Sequence, residues 1–204
     1  MTSSTHDAVE REWQRLGSTG TWWTGKERVA IAAEYRAARL QQKSTQTILS
    51  EAAVEAVHKI ASKPHTVDQE WIQSCHDRDL APFPMVELMA IVALLSAVDT
   101  YAEGIGVELR TLPEPEQVSP TETPAREVPD NARINAGWLP TVGRASAAVC
   151  MSAVPDEQAA WEDLHTHLYL SIDEMRDLDF TKDLHRSQIE LLASRTSLYN
   201  DCFY

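Results

Sequence analysis

The stretch "LMAIVALLSAV", residues 88–98, is the strongest constraint in the chain. It is an uninterrupted apolar run closed by Glu87 on one side and Asp99 on the other. A hydrocarbon core needs about 20 apolar residues in a helix, so eleven are too few to span one. A run this apolar on all sides instead predicts a buried helix with other helices around it. The wider segment "FPMVELMAIVALLSAVDTYAEGIGV" reads as one long helix, ended near Gly104 and Gly106.

The flanking sequence supplies helices to surround it. Residues 1–20 read as a helical lead-in with Ala8, Trp13 and Leu16 as docking points. "TGKERVAIAAEYRAARL" follows, and Thr24 and Glu27 have the spacing of a capping box ahead of an apolar run. "STQTILSEAAVEAVHKIAS" puts Ile48, Ala52, Val54, Val57 and Ile60 at near-helical spacing. "TVDQEWIQSCHDRD" is a short third helix. Glycines number only seven, and alternation of the strand type is hard to find. The fold class expected is all-α.

Proline divides the chain. Six of the ten prolines fall within residues 113–140. Proline lacks an N–H and blocks helix, so this stretch is expected to be extended and poorly packed. The organisation predicted is a unit over 1–110, a Pro-rich linker over 111–137 and a second unit over 138–204. In the second unit "VPDEQAAWEDLHTHLYLSIDEMRDL" resumes helix at Pro155 and Asp156. "HRSQIELLASRTSLYNDCFY" is the last element. Ser187 and Glu190 repeat the S/T-x-x-E spacing of Thr24 and Glu27, a weak internal repeat.

Charge excludes some partners. The net charge is −13, from 31 acidic and 18 basic residues. Nucleic acid and anionic membranes need a basic footprint, so neither is expected. The start "MTSSTHDAVEREWQRLG" has no apolar h-region of a secretory signal. Cys75, Cys150 and Cys202 have neither disulfide-framework nor zinc spacing, which fits a reducing, cytoplasmic setting.

Glu190 and Cys202 are twelve residues apart. Here "QIELLASRTSLYNDCFY" resembles the active-site segment of alkylhydroperoxidase D-like proteins, in the carboxymuconolactone decarboxylase superfamily. Their pattern is a glutamate, eleven residues, then Cys-x-x-Cys, three residues and a histidine. Glu190 matches the glutamate, Cys202 the first cysteine, and Phe203 and Tyr204 the two x positions. "WWTGKERVAIAAEYRAAR" and "VELMAIVALLSAVDTYAEGIGVELRTLPEP" are similar to the first active-site helix and the packing helix of tandem members. The resemblance implies an alkylhydroperoxidase D-like helical bundle, a tandem with an incomplete second unit.

What it implies about activity is peroxide reduction by an antioxidant oxidoreductase. The implied catalytic residues are Cys202, as resolving thiol, and Glu190, in proton relay. The implied partners are a peroxide substrate, a thiol reductant and further copies of the chain; no cofactor and no metal is implied. In the first copy, Arg39 stands where the first cysteine would be, so that copy is a scaffold. The motif's second cysteine would fall one residue past Tyr204. The expectation there is a UGA codon decoded as selenocysteine; a true stop and an artificial boundary are the alternatives.

The chemistry is coherent. A thiolate reduces a peroxide, and the sulfenic acid is captured by a nearby thiol. A helix start lowers a thiol's pKa, and Asn200 and Asp201 are good N-cap types for one. Twelve residues on one straight helix span about 18 Å, so Glu190 reaches the thiol only if the chain turns near Asn200 or another subunit closes the gap.

Plainer readings stand beside these. Glu190 serves as a capping-box residue, and Cys202 as an inert thiol. Cys75 and Cys150 are packed small hydrophobes. His165 and His167 point to different helix faces, which argues against a metal site. Trp22 and Trp23 belong to a core or an interface. At the level of the whole chain, the alternatives are a non-catalytic helical oligomerisation module and, more remotely, a lactone decarboxylase of the same superfamily.

Overall fold

The computed structural model describes residues 3–44, 48–117, 124, 126–135 and 138–199. Among them it contains eight α-helices and one two-stranded antiparallel ribbon, so the chain is all-α in class. The long apolar segment forms α5 (Pro82–Gly104), with Pro82 at its first turn, where a missing N–H costs nothing. Met85, Leu88, Ile91, Leu94, Leu95 and Val98 are all buried. Each such side chain contributes about 1.5–3 kcal/mol by leaving water. By length and composition α5 is apolar enough to cross a membrane. Here it is the core helix, and its charged flanks Glu87 and Asp99 are buried in ion pairs.

Three N-terminal helices wrap it. α1 (Ser3–Gly17) buries Ala8, Trp13 and Leu16, the docking points expected from the sequence. α2 (Gly25–Arg39) begins with the predicted capping box: Glu27 N–H donates to Thr24 Oγ1, and Thr24 N–H donates to Glu27 Oε2. α3 (Glu51–Ser62) starts at the Ser50 cap, later than the apolar spacing suggested, and leaves Ile48 exposed. α4 (Gln69–His76) is capped by Asp68, which accepts from Trp71 N–H. α5 ends at Gly104, and Gly106 takes φ +73°, the left-handed conformation glycine favours.

The described residues of the proline-rich stretch form no helix, and its first part is not loosely packed as expected. Glu116 N–H donates to Gly17 O at 2.7 Å, and Arg36 reaches Arg110 O at 2.6 Å. Leu112 packs on the core. A Cβ on Gly25 would run into Gly17 O and crowd Glu116 N, so glycine is needed where these strands of chain cross. Further on, β1 (Ala132–Ile134) pairs antiparallel with β2 (Pro140–Val142). Three-residue strands are too short to show alternation in sequence.

α6 (Pro155–Leu168) packs on α1 and α5, and Val154 and Leu164 join the core of the N-terminal helices. The single helix expected over 154–178 is in fact two. Ser171 and Glu174 form a capping box that starts α7 (Ile172–Arg176), so the chain breaks at Tyr169 and Leu170. α8 (Arg186–Tyr199) follows; Leu191, Leu192, Leu198 and Tyr199 are exposed on it.

Candidate functional site

Glu190 does not cap α8. The helix starts at Arg186, so Ser187 already lies inside it. Its first turn is closed instead by His185 and Gln188: Gln188 Oε1 accepts from His185 N–H, and Ser187 N–H donates to His185 Nδ1. The capping-box expectation for Ser187 and Glu190 is therefore corrected, because the His185–Gln188 pair already closes the turn. The Glu190 carboxylate takes no part in that turn and makes other contacts.

It is held by two partners on one oxygen. The Tyr169 hydroxyl donates to Glu190 Oε1 at 2.8 Å, and Arg186 Nη2 approaches the same atom at 2.7 Å. The Glu190 side chain stays 43% exposed. Tyr169 lies just past α6, and α8 brings Arg186 and Glu190 together at i,i+4 spacing. Burial and the neighbouring Glu190 carboxylate both push the Tyr169 phenol up, keeping its proton on the oxygen. Behind it, His165 meets the Tyr169 ring edge-on at 5.2 Å and stacks on Trp161 at 4.6 Å. Burial pushes His165 below the usual histidine range, which favours the neutral ring.

A cavity of about 930 Å³ is lined by Tyr101, Leu168, Tyr169, Ile189, Leu192 and Ala193; Tyr169 joins its wall to Glu190, which does not itself line it. Cys202, the other predicted site residue, lies outside the described residues, as does the turn expected near Asn200. On α2, Glu27 is used by the Thr24 cap, and Arg39 bonds Glu103 at 3.0 Å.

The other two cysteines differ from one another. Cys75 is fully buried, as expected, and burial pushes its thiol up. Cys150 is exposed, contrary to the packed role read from "AAVCMSAV". It follows a single 3-10 turn, Ala147–Val149, in which no residue is buried, and burial begins only with the next residue, Met151. Trp22 and Trp23 pack on the core; Trp22 stacks on Phe83, and Trp23 Nε1 donates to Pro84 O.

Sequence reasoning missed a second constellation. Arg28 is 1% exposed, and its Nη1 donates to Glu87 Oε1 at 2.6 Å and Glu157 Oε1 at 2.8 Å. Arg15 Nη1 reaches the same Glu157 oxygen at 2.6 Å, while its Nε and Nη2 grip Glu12. Glu87 Oε2 accepts from Trp22 N–H. Burial acts on Glu157 in the opposite sense, but Arg28 and Arg15 outweigh it and hold this carboxyl below the usual range. Burial dominates at Glu12 and Glu87, which are pushed up despite their arginines. These partners come from α1, α2, α5 and α6. Only the placement of Arg28 and Glu87 beside apolar runs hinted at it. Comparisons with protein-family models, curated proteins and solved structures give no match to this chain.

Proposed function

We propose that the protein is an alkylhydroperoxidase-like antioxidant oxidoreductase, acting on peroxides through a dithiol or thiol–selenol pair that includes Cys202. The observation that carries this reading is the Glu190 carboxylate. It is half-exposed and accepts from the hydroxyl of Tyr169, a residue of the cavity wall, and it stands twelve residues before Cys202 in the sequence.

In the first step, the pair's other member, a thiolate or selenolate, attacks the distal peroxide oxygen. The O–O bond breaks, an alcohol leaves, and a sulfenic or selenenic acid forms. Glu190 relays a proton to the leaving oxygen, with Tyr169 steadying its charge. In the second step, Cys202 thiolate attacks that oxidised sulfur or selenium. A disulfide or selenosulfide forms and water leaves. A thiol reductant of the reducing cytoplasm then restores the pair.

The test is peroxide consumption by protein purified from its native host, compared with Cys202→Ser and Glu190→Gln. With a monothiol reductant, Cys202→Ser is expected to lose most turnover and Glu190→Gln about 10²-fold. Rates unchanged in both variants would remove the reading. A second reading, a helical oligomerisation module, is favoured by the exposed Leu191, Leu192 and Leu198 of α8. It predicts self-association with no peroxide turnover.

A further inference from the structure

Trp161, His165 and Tyr169 stand at i, i+4 and i+8 along α6 and its C-cap, so their side chains follow one another on one side of the helix. Trp161 stacks on His165 with ring centroids 4.6 Å apart, and His165 meets Tyr169 edge-on at 5.2 Å. Both separations are those of rings in contact. The row ends in a hydrogen bond, because the Tyr169 hydroxyl donates to Glu190 Oε1 at 2.8 Å. An indole is thus joined through touching rings to a phenol, and the phenol to a carboxylate of another helix.

Tryptophan and tyrosine lose a single electron more readily than the other aromatic side chains. A phenol that loses one becomes a strong acid and must pass its proton to a base. Glu190 Oε1 lies within the separation of about 2.6–3.2 Å that such a transfer needs. Among the described residues no other tyrosine hydroxyl donates to a carboxylate, and that of Tyr35 is buried without a partner.

Charge sets Trp161 apart from two other tryptophans. Arg36 and Arg110 lie over the Trp13 ring at 5.5 and 4.9 Å, and Lys59 lies over the Trp71 ring at 4.7 Å. A cation against a ring opposes removal of an electron from it. Trp161 faces His165 instead, whose burial favours the neutral ring. Arg186 Nη2 is close to Glu190 Oε1, at 2.7 Å. It opposes little at Tyr169, because a phenol that gives up its proton with its electron stays uncharged.

We propose that Trp161, His165 and Tyr169 form a one-electron relay that moves oxidising equivalents from Trp161 to Tyr169, with Glu190 as the proton acceptor. The oxidant is a small oxygen-centred radical, such as the alkoxyl radical left when one electron cleaves a peroxide. It takes one electron from the Trp161 ring and becomes an alkoxide, which water protonates. Tyr169 then gives one electron to Trp161, and its phenolic proton passes to Glu190 Oε1. The products are a restored Trp161, a neutral phenoxyl radical on Tyr169 and a protonated Glu190. Eight residues of helix rise about 12 Å, a gap bridged here by the His165 ring. Tyr169 lines the 930 Å³ cavity, so the radical is delivered to the cavity wall. The relay uses neither Cys202 nor a second thiol, and its fate does not bear on the peroxidase reading.

Pulse radiolysis tests it, with azidyl radicals as the one-electron oxidant of the indoles. Indolyl and phenoxyl absorption are followed in time, and paramagnetic resonance of frozen samples identifies the radicals. The folded protein is expected to show an indolyl-to-phenoxyl transfer whose rate does not depend on protein concentration. Tyr169→Phe keeps the ring and removes the hydroxyl, and is expected to lose most of that phase. Trp161→Phe is expected to lose it equally. Glu190→Gln keeps a hydrogen-bonding group but not the base, and is expected to slow the transfer about tenfold or more. Circular dichroism checks that each variant is folded. An undiminished transfer phase in Tyr169→Phe or Trp161→Phe, or an unchanged rate in Glu190→Gln, would each overturn the proposal.

Discussion

The surroundings of α5 and of α8 are built on opposite terms. On α5 the charged Glu87 and Asp99 are buried, and each is matched by an arginine of α2. On α8, Arg186 alone is buried, and leucines face outward beside an exposed Glu190. The first region is where stability resides. The second carries little of it, and its Glu190 carboxylate, held by Tyr169 and Arg186, stays half-exposed to solvent.

The largest effects should come from breaking the buried cluster. Glu157→Ala leaves Arg15 and Arg28 buried without their shared partner. It should cost about 3–5 kcal/mol in urea unfolding. Leu88→Ala, in the middle of the core, should cost about 2–5 kcal/mol by the same measurement. Thr24→Ala removes the α2 cap and should cost about 1 kcal/mol. Leu198→Ala on α8 should change stability by no more than about 0.5 kcal/mol. A loss at Leu198 as large as that at Leu88 would erase the contrast between the regions.

Titration sharpens it. The Glu157 carboxyl is held down in the folded state, so its stabilisation is present above the usual carboxylate pKa and is lost as pH falls through the lowered one. Glu12 and Glu87 run the other way. Their folded pKa values are raised, so their contribution is full below the usual value and is lost as pH rises through the raised ones. Unfolding measured across acid pH should therefore show a shallower acid loss in Glu157→Gln. In Glu87→Gln the decline with rising pH should shrink. Parallel profiles in both variants would contradict the opposite shifts.

What the sequence made legible follows range of interaction. The Thr24–Glu27 box, the burial of α5 and its glycine ending are local, and the sequence alone predicts each. The Arg28 cluster joins residues 59 and 129 positions apart, and nothing local encodes that pairing. Glu190 is the instructive failure. Its S-x-x-E spacing is the same as at Thr24, yet His185 and Gln188 close the turn first, while the unremarked Ser171 and Glu174 do form a box. A capping motif states what can bond, and competition among neighbours decides what does. The ribbon within the proline-rich stretch was beyond reading, because three residues per strand give no period.

Cys202 is the thiol we propose to be redox-active, unlike buried Cys75 and surface Cys150. The direct measurement is a single turnover with stoichiometric peroxide and no reductant, on protein from its native host. Peptide mass analysis then gives the state of each cysteine. The prediction is that Cys202 becomes covalently joined to a second sulfur or selenium, while Cys75 and Cys150 remain thiols. Cys202 recovered as a free thiol after peroxide has been consumed would contradict the account.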